Sequence, residues 1–272
     1  VHSAATAVVY AGALMRLLFI GDVVGRPGRQ ALATAMPELR AERMPDLVVV
    51  NGENSAGGVG VTKETAEEIF EAGADVITLG NHTYRHREVY PYLDAEPRIV
   101  RPSNFPASNP GRGHTITEAA GMRVAVINLS GQKHLQVERN PFTAIDEVLG
   151  SLAGAADAFV VDFHAELTSE KVAMGWHLDG RVAAVLGTHT HVPTADSRVL
   201  PGGTAHIADV GMTGSRAGVI GVKREQALQA FRTQMPVRFD TADEDVWLMG
   251  VAVEIGDDGL ARRIDQILIS IS

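Results

Sequence analysis

The chain has 272 residues, 45% of them hydrophobic and 21% charged, the balance of a folded globular protein rather than a disordered or fibrous one. It contains no cysteine, which excludes a disulfide framework, a thiolate nucleophile and every Cys-based zinc or iron–sulfur site. Its 24 basic and 33 acidic residues give a net charge of −9, which argues against an extended nucleic-acid surface, and no apolar run reaches the ~18 residues of a membrane span.

Val1–Leu14 is small and weakly apolar, with no basic stretch ahead of its apolar part such as a secretory leader carries. It reads as an extension outside the fold, and the protein as cytoplasmic, with residues 15–272 forming one domain. From Met15 onward, short β-branched runs alternate with longer mixed segments. Strands are expected over Leu17–Ile20, Leu47–Val50, Val76–Leu79, Val124–Ile127, Phe159–Val161 and Val182–Leu186, short apolar runs as in sheets covered on both faces. Helices are expected over Arg29–Arg43, Lys63–Ala72, Glu88–Ala95, Thr143–Ala155 and Ser169–Trp176, with Thr62 as an N-cap and Pro37 breaking the first helix or starting its second half. Past residue 200, Ala205–Ile207, Val246–Glu254 and Ile264–Ile271 read as antiparallel strands, with Gly256–Gly259 as a turn. The fold class is α/β.

The polar residues fall at the ends of these strands. Gly21-Asp22, Asn51-Gly52-Glu53-Asn54, Gly80-Asn81-His82, Asp162-Phe163-His164 and Gly187-Thr188-His189-Thr190-His191 each follow an apolar run. Carboxyl ends of parallel strands converge on the ligand crevice of an open α/β sheet, and buried strands have no structural need for such residues there. Carboxylate, amide and imidazole without sulfur are ligands for hard-to-borderline metals. Asp22, Glu53, Asn54, Asn81, His164, His189 and His191 are too many for one tetrahedral ion and suit two ions sharing Glu53. Two divalent cations make a locally positive pocket in an acidic protein, which fits an anion such as phosphate.

In order and spacing these motifs resemble the calcineurin-like metallophosphoesterases (GD, GD/GE, GNH, H, GHxH). The fuller strings FIGDVVGRPG (19–28), VNGENSAGGVGVT (50–62), RPSNFP (101–106) and DFHAE (162–166) are similar to the YmdB-like branch of bacterial phosphodiesterases. The resemblance implies a four-layer αββα sandwich, two divalent or mixed-valence ions, iron or manganese, and hydrolysis of small phosphodiesters including 2′,3′-cyclic nucleotides. Carried over residue by residue, Asp22, Glu53, Asn54 and His191 hold the first ion, and Glu53, Asn81, His164 and His189 the second. One departure stands out: the usual first motif is GDxHG, whereas Val23-Val24-Gly25 follows Asp22 here, and Asn54 takes the place of the missing histidine. His82 is by this resemblance a catalytic residue rather than a ligand. The expected reaction is in-line attack by a hydroxide bridging the ions, with His82 as general acid toward the leaving alkoxide.

Other residues receive plainer readings. Asn51 is a turn former. His189 and His191, two apart, share one face as on a β-edge. Gly57, Gly58 and Gly60 form a turn near the pocket, since neither GxGxxG nor GxxxxGK[ST] is present. Arg26 and Arg29 reach toward phosphate from the first loop, and Asn104 in the Pro-flanked 101–106 loop lines the nucleoside side. His2, His86, His114, His134, His177 and His206 carry no motif. The absence of GxSxG leaves an α/β-hydrolase without its serine. Alternatives on the same residues are a phosphomonoesterase, a nuclease, or a non-catalytic regulatory protein that senses a nucleotide. A homo-oligomer is compatible with the sequence, which sets no number of copies.

Overall fold

The computed structural model describes residues 14–271, so the extension read over Val1–Leu14 lies, apart from Leu14, outside the described residues. In chain order, β1 (Met15–Ile20) leads through Gly21 into β2 (Asp22–Val23) and α1 (Gly25–Arg43), followed by β3 (Leu47–Asn51), α2 (Lys63–Glu71), β4 (Val76–Thr78), α3 (Tyr90–Ala95) and β5 (Ile99–Val100). Next come β6 (His114–Ala119), β7 (Met122–Ser130), α4 (Pro141–Ser151), β8 (Ala158–His164), α5 (Thr168–Leu178) and β9 (Ala184–Thr188). The chain closes with β10 (Arg198–Val199), β11 (Ala205–Ile207), β12 (Met212–Ser215), α6 (Arg224–Thr233), β13 (Val246–Ile255) and β14 (Ala261–Ile271).

The strands form two sheets. One runs β2-β12-β13-β1-β3-β4-β5, with β14 pairing β13, and the other runs β10-β11-β9-β8-β7-β6. Side chains alternate across a strand, and in β1 that alternation separates two cores. Leu17 and Phe19 face the second sheet and pack with Val126, Val160 and Leu186. Leu18 and Ile20 face outward under Leu32 and Met36 of α1 and Ile69 of α2. The outer face of the second sheet is covered in the same way: Ile127, Val161 and Phe163 pack on Ile145 of α4 and Met174 of α5. The result is a four-layer αββα sandwich, the expected class. Both faces of the central strands are buried, which is why their sequences are largely apolar up to the polar residues near their carboxyl ends.

Three expectations need correction. Pro37 lies inside α1, which runs unbroken from Gly25 to Arg43. The hydrogen bond it removes is outweighed by the flanking Met36 and Leu39, both buried against the sheet. Ala205–Ile207 is parallel to β9 and antiparallel only to β10, whereas β13 and β14 are the antiparallel pair expected. Helix α6 lies outside the expected elements: it buries only Ala227, and its larger apolar residues, Leu228 and Phe231, are exposed. Thr62 does cap α2, accepting from Thr65 N while Thr65 Oγ1 accepts from Thr62 N. Among the described residues, no helix is long and apolar enough to cross a membrane.

Candidate metal centre

The carboxyl ends of β1, β3, β4, β8 and β9 meet at one edge of the sandwich and bring their polar residues together across the two sheets. Asp22, Glu53 and His164 are completely buried, and Asn54 nearly so. His164 Nε2 is the hub: it lies 3.0 Å from Glu53 Oε2, 3.0 Å from Asn81 Oδ1 and 3.0 Å from His189 Nδ1. On the other side, Asn54 Nδ2 is 3.2 Å from His191 Nε2, and His191 Nε2 is 3.7 Å from Asp22 Oδ1. All seven residues read as ligands are thus neighbours, although they come from segments scattered between positions 22 and 191.

Among the described residues, no three His, Asp or Glu side chains alone define a metal position, so fit rests on the chemistry of the whole donor set, amides included. Asp22 Oδ1 and Glu53 Oε2 are buried without a hydrogen-bond partner, a costly state for a carboxylate unless a cation meets it. The imidazoles are turned the same way. His164 Nδ1 lies 2.9 Å from Thr188 Oγ1, whose hydroxyl is itself donated to Asp162 Oδ1 at 2.7 Å. His189 Nε2 lies 3.0 Å from Glu166 Oε2, and His191 Nδ1 lies 2.9 Å from the Ile220 carbonyl. Each ring can spend its N–H on an outer acceptor and keep the other nitrogen's lone pair inward, the arrangement of metal-ligating histidines. Inner donors about 3 Å apart match adjacent ligands of an ion with bonds of about 2.0–2.2 Å. The residues fit divalent ions.

The charges agree. Burial pushes Asp22 above the usual carboxylate value. Burial acts the same way on Glu53, but His164 and His82 outweigh it and hold that carboxyl well below its usual range. Burial opposes a charge on His164, yet Glu53, Asp22 and Asp162 draw its pKa up to about 9. Burial and the adjacent His164 push His189 down to about 3. Two buried carboxylates gather positive charge around themselves, which a proton supplies only in part.

His82 stands at the rim, with its side chain 38% exposed and Nδ1 2.8 Å from Glu53 Oε1 and 3.1 Å from Asn54 Oδ1. Two other expectations fail. Asn104 is fully buried, and its amide donates to the carbonyls of Ser130 (2.7 Å) and Arg139 (3.1 Å) while accepting from Ser130 N (2.9 Å). It braces its loop and has no amide proton left for a nucleoside. Arg29 is bound to the Ser55 carbonyl and to Glu68, tying α1 to α2, whereas Arg26, exposed at the start of α1, is compatible with the expected phosphate contact. Nor do His189 and His191 share a face through strand alternation. Both lie beyond β9 with positive φ, 98° and 66°, backbone that non-glycine residues adopt rarely and at a cost.

Several supports escaped the sequence reading. Asn51 forms the expected turn, accepting from Glu53 N at 3.1 Å, but also donates to Asp162 Oδ2 at 2.9 Å across the two sheets. Asp209 Oδ2 accepts from Thr190 N and Oγ1, at 3.0 and 2.7 Å, and pairs with Lys171 Nζ at 2.6 Å, gripping the residue between the two histidines. The two-residue spacing of Asp162 and His164 on one strand was the available signal for the first of these. Nothing local marks the second.

A sequence model of the YmdB-like protein family matches residues 18–267. The chain is 47% identical over 257 residues to the 2′,3′-cyclic-nucleotide 2′-phosphodiesterase of Bacillus subtilis (strain 168), a match covering 94% of this chain and 97% of that protein. A solved structure of a hypothetical protein from Thermus thermophilus superposes with a TM-score of 0.89 at 39% identity, over 94% of this chain and 99% of that one. A phosphatase from Mycoplasma pneumoniae superposes with a TM-score of 0.90 at 34% identity, over 95% and 94% of the two chains.

Proposed function

Because the chain belongs to the YmdB-like family, we propose that it is a phosphodiesterase of small substrates, 2′,3′-cyclic nucleotides foremost, working with two divalent ions, iron or manganese. The observation that carries this reading is the convergence of inward-facing lone pairs on the two partnerless buried oxygens, Asp22 Oδ1 and Glu53 Oε2. Asp22, Glu53, Asn54 and His191 would hold one ion, and Glu53, Asn81, His164 and His189 the other. Such ions, when bound, activate water and neutralise charge on phosphoryl oxygens. Asn54 would supply its carbonyl oxygen in place of the missing first-motif histidine, with its amide turned over from the orientation that sets Nδ2 beside His191. Glu53 keeps His82 oriented through Nδ1. His82 gives a proton from Nε2 to the ribose oxygen as its bond to phosphorus breaks, leaving a phosphomonoester on the neighbouring hydroxyl.

The test combines elemental analysis with a panel of cyclic nucleotides, phosphomonoesters and RNA. Two ions per chain and preferential turnover of cyclic nucleotides are expected, and Glu53→Gln or Asp22→Asn should lower both metal content and rate. His82→Ala should retain its ions and lose roughly 10²–10⁴ in rate on a cyclic nucleotide, with a smaller loss on bis-nitrophenyl phosphate, whose leaving group needs no proton. Equal losses on both substrates would remove the general-acid role.

A further inference from the structure

Beside the metal centre, the inner face of the first sheet continues past the core between the sheets. Trp247, Met249 and Val251 alternate onto that face, but of the three only Val251 joins the inter-sheet core. Met249 stands opposite Leu268 on β14, and Trp247 opposite Gly214 on β12. With Met212 and Ile220 they line a cavity of about 390 Å³, within the ~300–1,000 Å³ of small-molecule sites. The His191 ring is a wall of this cavity, and its two nitrogens are directed to the Ile220 carbonyl and toward Asn54.

The cavity also holds a planar platform. The Arg216 guanidinium lies over the Trp247 ring, 4.3 Å from its centroid. The indole N–H is donated to Asp245 Oδ1 at 2.8 Å, which fixes the ring's orientation. Nucleobases stack on aromatic rings and on guanidinium planes alike.

We propose that this cavity receives the base of the nucleotide, stacked on the Trp247–Arg216 pair while the phosphate lies at the metal centre on the other side of His191; this rests on the phosphodiesterase reading above. A single phosphodiester then explains why an apolar, aromatic cavity shares a wall with a cluster built for an anion. The lining is mostly apolar and offers few groups to read base edges, so recognition follows stacking area, and purines are favoured over pyrimidines without strict selection.

Binding and turnover test it separately. The chain has two tryptophans, so in a Trp176→Phe variant the fluorescence reports Trp247 alone. Adenosine 3′-monophosphate should quench it saturably, and no quenching at millimolar nucleotide overturns the inference. In turnover, Trp247→Ala should lower kcat/KM for 2′,3′-cyclic AMP about tenfold relative to a base-free cyclic ribose phosphate. Leu268→Trp, which fills the cavity from a half-exposed position, should shift the same ratio in the same direction and serves if Trp247→Ala fails to fold. An unchanged ratio in the folded variants overturns the inference. Saturable quenching in a protein that turns over no phosphodiester keeps the base site and rejects the phosphodiesterase reading.

Discussion

At Gly80, which separates β4 from the proposed ligand Asn81, an added Cβ would overlap Glu53 Oε2 and His164 Nε2. Gly80→Ala must therefore displace two of the proposed ligands at once. It should cost about 1–3 kcal/mol in stability and most of the bound metal, read by thermal unfolding and elemental analysis. Glu166 works at one remove, its carboxylate 3.0 Å from His189 Nε2. Glu166→Ala should lower metal affinity about 10–100-fold in a chelator-competition titration, with the fold intact because the side chain is exposed. The residues proposed as ligands stood out because each breaks an apolar pattern at a strand end. Asn104 misled for a related reason: an amide among prolines looks available, and only the carbonyls of Ser130 and Arg139, distant in sequence, show that it is not. Glu166 lay in view within DFHAE, but its role depends on where His189 points, which a left-handed residue hides from any strand pattern.

Individual elements carry their own tests. The reciprocal Thr62–Thr65 bonds at the start of α2 predict that Thr62→Ala destabilises the protein by about 1 kcal/mol in denaturant unfolding, without touching the proposed ligands. On β11, His206 is buried with Nδ1 donating to the Val185 carbonyl and Nε2 without a partner. Burial lowers its pKa below the usual value, more than Asp196 raises it. The unfolded chain therefore binds this proton first as pH falls, and stability declines on the acid side of the ordinary histidine range. His206→Gln should flatten the slope of unfolding free energy between about pH 7 and about pH 5 relative to the parent protein. Strands buried on both faces were readable because four or more apolar residues in a row leave few alternatives. Elements such as β2, β5, β10 and β12, two to four residues long, exist only through their partners, and MTGS in β12 has no pattern of its own. The direction of β11 was hidden likewise, since it is fixed by β9 and β10 rather than by its composition.

At the scale of the molecule, the proposed ligand cluster is a joint between the sheets: Asp22, Glu53 and Asn81 follow strands of the first, and His164 and His189 belong to the end of the second. Ions bound there would tie the two halves together and stabilise the whole by mass action. Manganese at about 100 times its dissociation constant should add about 2.7 kcal/mol and raise one cooperative calorimetric transition by roughly 5–10 °C; a shift confined to part of the unfolding heat would contradict the joint. The position of β13 carries a further consequence. It pairs along β1 from Ile20 back to Met15, yet it spans Val246–Ile255, near the far end of the chain. On a ribosome adding on the order of 5–20 residues per second, β1 waits roughly 10 to 45 s for the neighbour that covers its edge. Over that interval β3 can pair one edge of β1 while the other edge of this apolar strand stays open, and a product of interrupted translation keeps it open for good. This is the species for which a chaperone would be needed.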